Sequence, residues 1–156
     1  MSRLILLAGL ALSTFASQAI WVTYAPVTSM IAEELGVSKE AVGALAIVYP
    51  VLFLALTIPS GILLDKNFKL WLSVGVVLTG LAGALRLLYP RSYAWLMACQ
   101  VMAGIGQPFL LNSFALFASK MYPERRDTTV SVLSFAMYLG IIYALGTGYY
   151  IYMHMG

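Results

Sequence analysis

Five stretches without one Asp, Glu, Lys or Arg side chain alternate with short clusters of charge along this 156-residue chain. They run over residues 4–32, 41–64, 70–85, 92–119 and 128–153, the third reaching full length when carried past Arg86 to Tyr89. A helix needs roughly 20 apolar residues to cross a hydrocarbon core, so the spacing predicts five crossings. We place them at about 4–31, 41–64, 70–89, 93–119 and 128–153, as one bundle over residues 1–156. No water reaches the hydrocarbon to satisfy backbone groups, and the runs lack strict alternation, so helices are expected rather than a barrel.

Composition agrees: 62% of residues are hydrophobic and only 10% are charged, with a mean hydropathy of +0.90. A soluble domain is excluded on that balance, and the lipid bilayer is the first expected partner. The first run follows Arg3 and carries a loose cleavage-like Ser17-Gln18-Ala19. It continues through Trp21 to Ala32, beyond the roughly 7–15 residues of a signal core, and reads as a retained span. Net charge is +3, but the basic residues sit in short loops beside spans, so no nucleic-acid partner is expected. Cys99 is the single cysteine and reads as a packing residue.

Basic residues set the expected orientation. With the N-terminus inside, Arg3, Lys66, Lys69, Lys120, Arg125 and Arg126 are cytoplasmic, against Lys39, Arg86 and Arg91 outside. A multi-pass protein of the cell membrane with a cytoplasmic N-terminus follows. Local chemistry marks the boundaries. Span one should unwind near Pro26, Gly36 and Ser38 suit a helix stop and the next cap, and Asp127 or Thr128 suits the start of span five. Arg86, close to Pro90, is expected to extend toward the outer surface.

Gly61-Ile62-Leu63-Leu64-Asp65-Lys66-Asn67-Phe68-Lys69 places a knot of charge between spans two and three. Asp65 sits where a helix macrodipole disfavours an anion, so it should turn to a helix N-terminus or a cation elsewhere. Gly61 allows close helix approach, and Lys66 and Lys69 suit an anionic leaflet. The plainer reading is a polar turn that fixes topology.

The segment resembles the loop between helices two and three of the major facilitator superfamily, Gly-x-Leu-small-Asp-Arg/Lys-x-Gly-Arg/Lys-Arg/Lys, with matches at Gly61, Leu63, Asp65, Lys66 and Lys69. Leu64, Phe68 and Leu70 depart from it. The resemblance implies a conformational latch in alternating access, with Asp65 at its centre. Gln100-Val101-Met102-Ala103-Gly104-Ile105-Gly106 is similar to that superfamily's fourth-helix pattern Arg-x-x-x-Gly-x-Gly, with Gln100 where the arginine usually stands. That arginine is tied to proton coupling, so the substitution argues against proton-driven transport. Gly140, Gly146 and Gly148 stand in span five without the Gly-Pro pair of drug antiporters.

A narrower likeness involves Trp21-Val22-Thr23-Tyr24-Ala25-Pro26-Val27, Ile31 to Leu35, Leu85-Arg86-Leu87, Gly106-Gln107-Pro108-Phe109 and Met121 to Glu124. These resemble the feline leukaemia virus subgroup C receptor-related transporters, linked to haem and to choline and ethanolamine. The likeness implies that Trp21 and Gln107 line a substrate cavity. The chemistry of the two side chains is suited to this, since an indole face attracts a quaternary ammonium by about 0.5–2 kcal/mol and an amide offers both donor and acceptor. Tyr24 and Asn112 are further candidates, and Tyr49 could extend an aromatic box. Each also has a plainer reading as packing or interhelical hydrogen bonding.

No cluster of His, Cys and carboxylates within the runs suits a metal or acid–base catalysis, so no enzyme and no cofactor is expected. The superfamily resemblance implies two six-helix bundles with substrate between them. Five spans are then expected to be most of the N-terminal half, a fragment whose partner is a missing C-terminal half or a second copy. The expected function is secondary transport of a small organic solute, choline-like or haem, by alternating access. The alternative is a non-transporting multi-span protein that assembles with a partner bundle.

Overall fold

A computed structural model describes residues 2–155, and every regular element among them is helical. Helix α1 spans Arg3–Val22 and is followed by a 3₁₀ turn at Ala25–Val27 and by α2, Thr28–Leu35. Pro26 falls in the turn, where its missing N–H interrupts the ladder as expected of it. Next come α3, Lys39–Lys66, and α4, Phe68–Leu85. Helix α5 spans Tyr93–Leu111 and α6 Ser113–Met121, and a 3₁₀ turn at Pro123–Arg125 leads into α7, Arg126–Met155. Five of the resulting rods are long and apolar enough to cross a membrane: Arg3–Leu35, Lys39–Lys66, Phe68–Leu85, Tyr93–Met121 and Pro123–His154. They are spans one to five below.

Local chemistry sets the ends. Gly36 closes α2 in the left-handed region at φ 64°, its N–H returning to the Ala32 and Glu33 carbonyls. Ser38 then opens α3 by accepting from the Ala41 N–H. The charged hairpin is tighter than the sequence implies: Asn67 alone separates α3 from α4, and its side chain caps α4 through the Leu70 N–H at 3.2 Å. Span three is correspondingly displaced, starting at the buried Phe68 and closing at Leu85 rather than near Tyr89.

Lipid is as apolar as leucine, so these rods are held by close packing and interhelical hydrogen bonds rather than by a hydrophobic drive. Span four is the most buried. Helix α5 packs on α3, α4 and α1, and α1 packs most extensively on α7. Glycine sets the closest of these approaches. A methyl at Gly106 would stand 2.9 Å from the Gly75 carbonyl oxygen and from Thr79 Oγ1, and one at Gly140 would collide with the Phe15 carbonyl oxygen.

The buried core divides along the bundle. Leu10, Leu64, Phe68, Phe109, Leu110, Phe114, Phe117 and Leu133 fill the end nearest Asp65. Tyr49, Ala82 and Ala103 form a second cluster with Trp21 beside it, and Ala32, Val42, Leu45 and Leu96 a third toward Glu34. At that far end Glu34 ties three elements together, accepting from Arg91 Nε at 3.3 Å and from the Tyr152 hydroxyl at 3.1 Å. Large apolar side chains remain exposed along one face of α3, at Ile47, Val51, Leu54, Ile58 and Ile62.

Candidate functional site

Span two carries a proline at its middle, and the site begins there. Pro50 has no N–H, so the Ala46 carbonyl one turn back loses its usual helical donor. The Trp21 indole supplies the replacement, Nε1 donating to the Ala46 oxygen at 2.8 Å. The indole N–H is thus committed to the protein, and what Trp21 offers a solute is its ring. Tyr49 lies parallel to that ring at 6.3 Å, 22° from coplanar, and is itself fully buried. It therefore backs Trp21 and does not extend an aromatic box into open space.

Trp21 lines a cleft of about 320 Å³ together with Gln18, Pro50, Phe53, Gln107, Leu111, Met137, Tyr138 and Ile141. Spans one, two, four and five contribute and span three does not. Gln107 is 4% exposed, lines the cleft, and is held by no hydrogen bond among the described residues. The two residues that sequence reasoning placed in a cavity therefore share one. Gln18 was missed. It stands one helical turn before Trp21, is buried, and its amide nitrogen has no partner among the described residues. Its signal was a lone amide three residues from an intramembrane tryptophan.

The other two candidates lie elsewhere. Helix α1 ends at Val22, so Tyr24 does not share the face of Trp21. Tyr24 lines a separate apolar hollow of about 400 Å³ with Thr23, Tyr143, Gly148 and Tyr152. Asn112 donates from Nδ2 to the Thr57 carbonyl at 2.9 Å and to Ser60 Oγ at 2.8 Å. Through these bonds it fastens span four to span two at the break between α5 and α6.

Arg86 departs from its expected course. Rather than extending to the membrane face, its guanidinium turns inward, Nη2 donating to Gln100 Oε1 at 2.5 Å and Nη1 to Thr23 Oγ1 at 3.4 Å, with the Tyr24 ring 5.6 Å below. The physical reason is the early end of α4: Arg86 occupies its C-cap, within reach of two acceptors and an aromatic face. The absence of an arginine at position 100 consequently does not leave that place uncharged.

Of the hairpin residues, Asp65 and Lys66 occupy the last turn of α3 and Lys69 the first turn of α4, all exposed. Asp65 forms no ion pair among the described residues. A methyl at Gly61 would meet nothing within 4 Å, so among the described residues no helix approaches it closely. Gly140 and Gly148 do sit at contacts, the latter against Pro26, while Gly146 faces open space.

The family model for the Major Facilitator Superfamily matches residues 10–156, which takes in all the cleft residues and the hairpin.

Proposed function

Because the chain belongs to the Major Facilitator Superfamily, a family of membrane transporters, we propose that its cleft is the solute site and that the solute is a small organic cation bearing a hydroxyl, of the choline class. One observation carries this reading: an indole face and an uncommitted amide, Trp21 and Gln107, meet in one cleft from different spans. The aromatic wall of Trp21, Phe53 and Tyr138 suits the ammonium. Gln107 suits the hydroxyl, accepting from it or donating to it. At about 320 Å³ the cleft lies near the lower bound of small-molecule sites, roughly 300–1,000 Å³, which favours a choline-sized solute over a haem macrocycle.

The cleft is open on one side, and the exposed α3 face carrying Leu54 and Ile58 flanks it. We place a second helix bundle, from a further segment or a second copy, across that opening, with the solute alternately accessible from either side as the bundles rock. The unpaired Asp65 then has a role as latch, engaging a helix N-terminus of the opposite bundle. The asymmetry of basic residues supports a cytoplasmic N-terminus in the cell membrane.

Uptake into proteoliposomes tests the assignment with labelled choline and labelled tetramethylammonium, which has the charge without the hydroxyl. Trp21→Ala should weaken uptake of both, and Gln107→Ala should weaken choline alone. Unchanged choline uptake in both variants would remove the site. Absence of any uptake by the parent protein reconstituted together with the second bundle that completes it would favour a non-transporting assembly protein.

A further inference from the structure

Arg86 is a charged side chain that the transport reading leaves unused. A charge inside the hydrocarbon is costly unless it finds partners or reaches water. Pro90 and the exposed turn around it lie just beyond, so an extended side chain had water within reach. It takes the inward path instead, and no carboxylate pairs with it among the described residues.

What it meets there is Gln100, fully buried and engaged at both ends of its amide. Oε1 accepts from the guanidinium, and Nε2 donates to the Leu45 carbonyl at 2.9 Å and to the Trp21 carbonyl at 3.4 Å. A guanidinium can only donate and a carbonyl can only accept, so an amide is the group that bridges them. Trp21 is consequently pinned twice, its main-chain oxygen by Gln100 and its indole N–H by Ala46. The second bond from Arg86, to Thr23, holds span one two residues further on.

We propose that Arg86 is a positioning residue for the solute site: from span three, which contributes nothing to the cleft wall, it acts through Gln100 to fix span one at Trp21 and so aim the indole. This rests on the reading of the Trp21 cleft as the solute site. Without the guanidinium, Gln100 Oε1 is a buried acceptor with no donor, and the amide loses the group that holds its orientation toward the two carbonyls.

The test uses the whole chain in lipid nanodiscs, labelled with 5-fluorotryptophan. The chain contains three tryptophans, so three fluorine resonances arise, with Trp21 assigned by Trp21→Phe and Trp71, stacked on Phe109, as the unaffected reference. Arg86→Met should displace or split the Trp21 resonance and leave Trp71 in place. The exchange Arg86→Gln with Gln100→Arg should return it, because an arginine at 100 has donors enough for Leu45, Trp21 and the new amide. In proteoliposomes Arg86→Met should raise the choline KM about tenfold, equivalent to about 1.4 kcal/mol, with little change in maximal rate. A folded Arg86→Met chain whose Trp21 resonance stays put overturns the proposal, as does a displaced resonance with an unchanged KM. If Arg86→Met does not fold, the exchange decides: a Trp21 resonance at the parental position supports the strut, and a displaced one refutes it. Failure of the solute reading shows separately, as parental uptake in Trp21→Ala.

Discussion

Replacing Trp21 by Phe keeps an aromatic face but removes the indole N–H and shrinks the ring, so its consequences divide into one lost bond and a packing term. The Ala46 carbonyl, already without its helical donor because of Pro50, loses the 2.8 Å bond that replaces it. An unmet buried acceptor costs about 1–3 kcal/mol in general, and measured interhelical bonds in membranes average about 0.6 and reach about 1.7 kcal/mol. The smaller ring adds a packing loss of its own. The two terms separate in a double-mutant cycle with Pro50→Ala, which gives residue 50 an N–H aimed at the same carbonyl. In that background Trp21→Phe should still lose packing but leave Ala46 satisfied, so the cycle should show a coupling of about 1 kcal/mol. Unfolding in mixed micelles, followed by circular dichroism, measures all four chains. If Trp21→Phe costs the same in both backgrounds to within about 0.3 kcal/mol, the proline and the tryptophan are independent and the account of the site's back wall is wrong.

Gly140→Ala should destabilise the bundle by about 1–3 kcal/mol, since its Cβ collides with the Phe15 carbonyl, whereas the Cβ of Gly146→Ala meets nothing within 4 Å and that change should be neutral or slightly favourable; thermal unfolding of both distinguishes a contact glycine from a bystander. Asn112→Leu removes the bonds to Thr57 and Ser60 and should cost about 1 kcal/mol in the same unfolding assay while leaving the choline KM at its parental value. A large KM effect would return Asn112 to the solute site.

The five rods were legible because charge is costly in hydrocarbon, so its clusters mark where the chain leaves the membrane. Pro26, Gly36 and Ser38 were legible for a similar reason: each acts on its own backbone within one turn. What the sequence did not carry was rotation and long-range contact. Trp21 and Tyr24, three apart, would share a face on an unbroken helix, but α1 stops between them. Gln107 and Asn112 are five apart, about 140° around a helix, and so look to different neighbours. Arg86, four residues before Pro90, looked set to extend outward on local grounds, yet it folds inward. Its choice depends on Thr23 and Gln100, distant along the chain and brought close by the packing of spans one, three and four.

Span four holds its own internal control for the solute site. Gln100 and Gln107 are seven residues apart, two turns and about 20° from the same face, and both are buried. The first has its amide satisfied by the protein, a cation on the oxygen and carbonyls on the nitrogen. The second has the same chemistry with no partner among the described residues, in a cleft whose walls are aromatic. Burying an amide in hydrocarbon without partners is costly, and Gln100 demonstrates that this helix face can be fully satisfied from within the bundle. On the reading proposed above, the Gln107 amide, which lines the cleft and has no partner among the described residues, is the one left open to a group from the solute. The partner on the Gln100 oxygen is a donor, the Arg86 guanidinium, and the hydroxyl of a choline-like solute is the group that could donate to the Gln107 oxygen in the same way, its quaternary ammonium having no N–H to give.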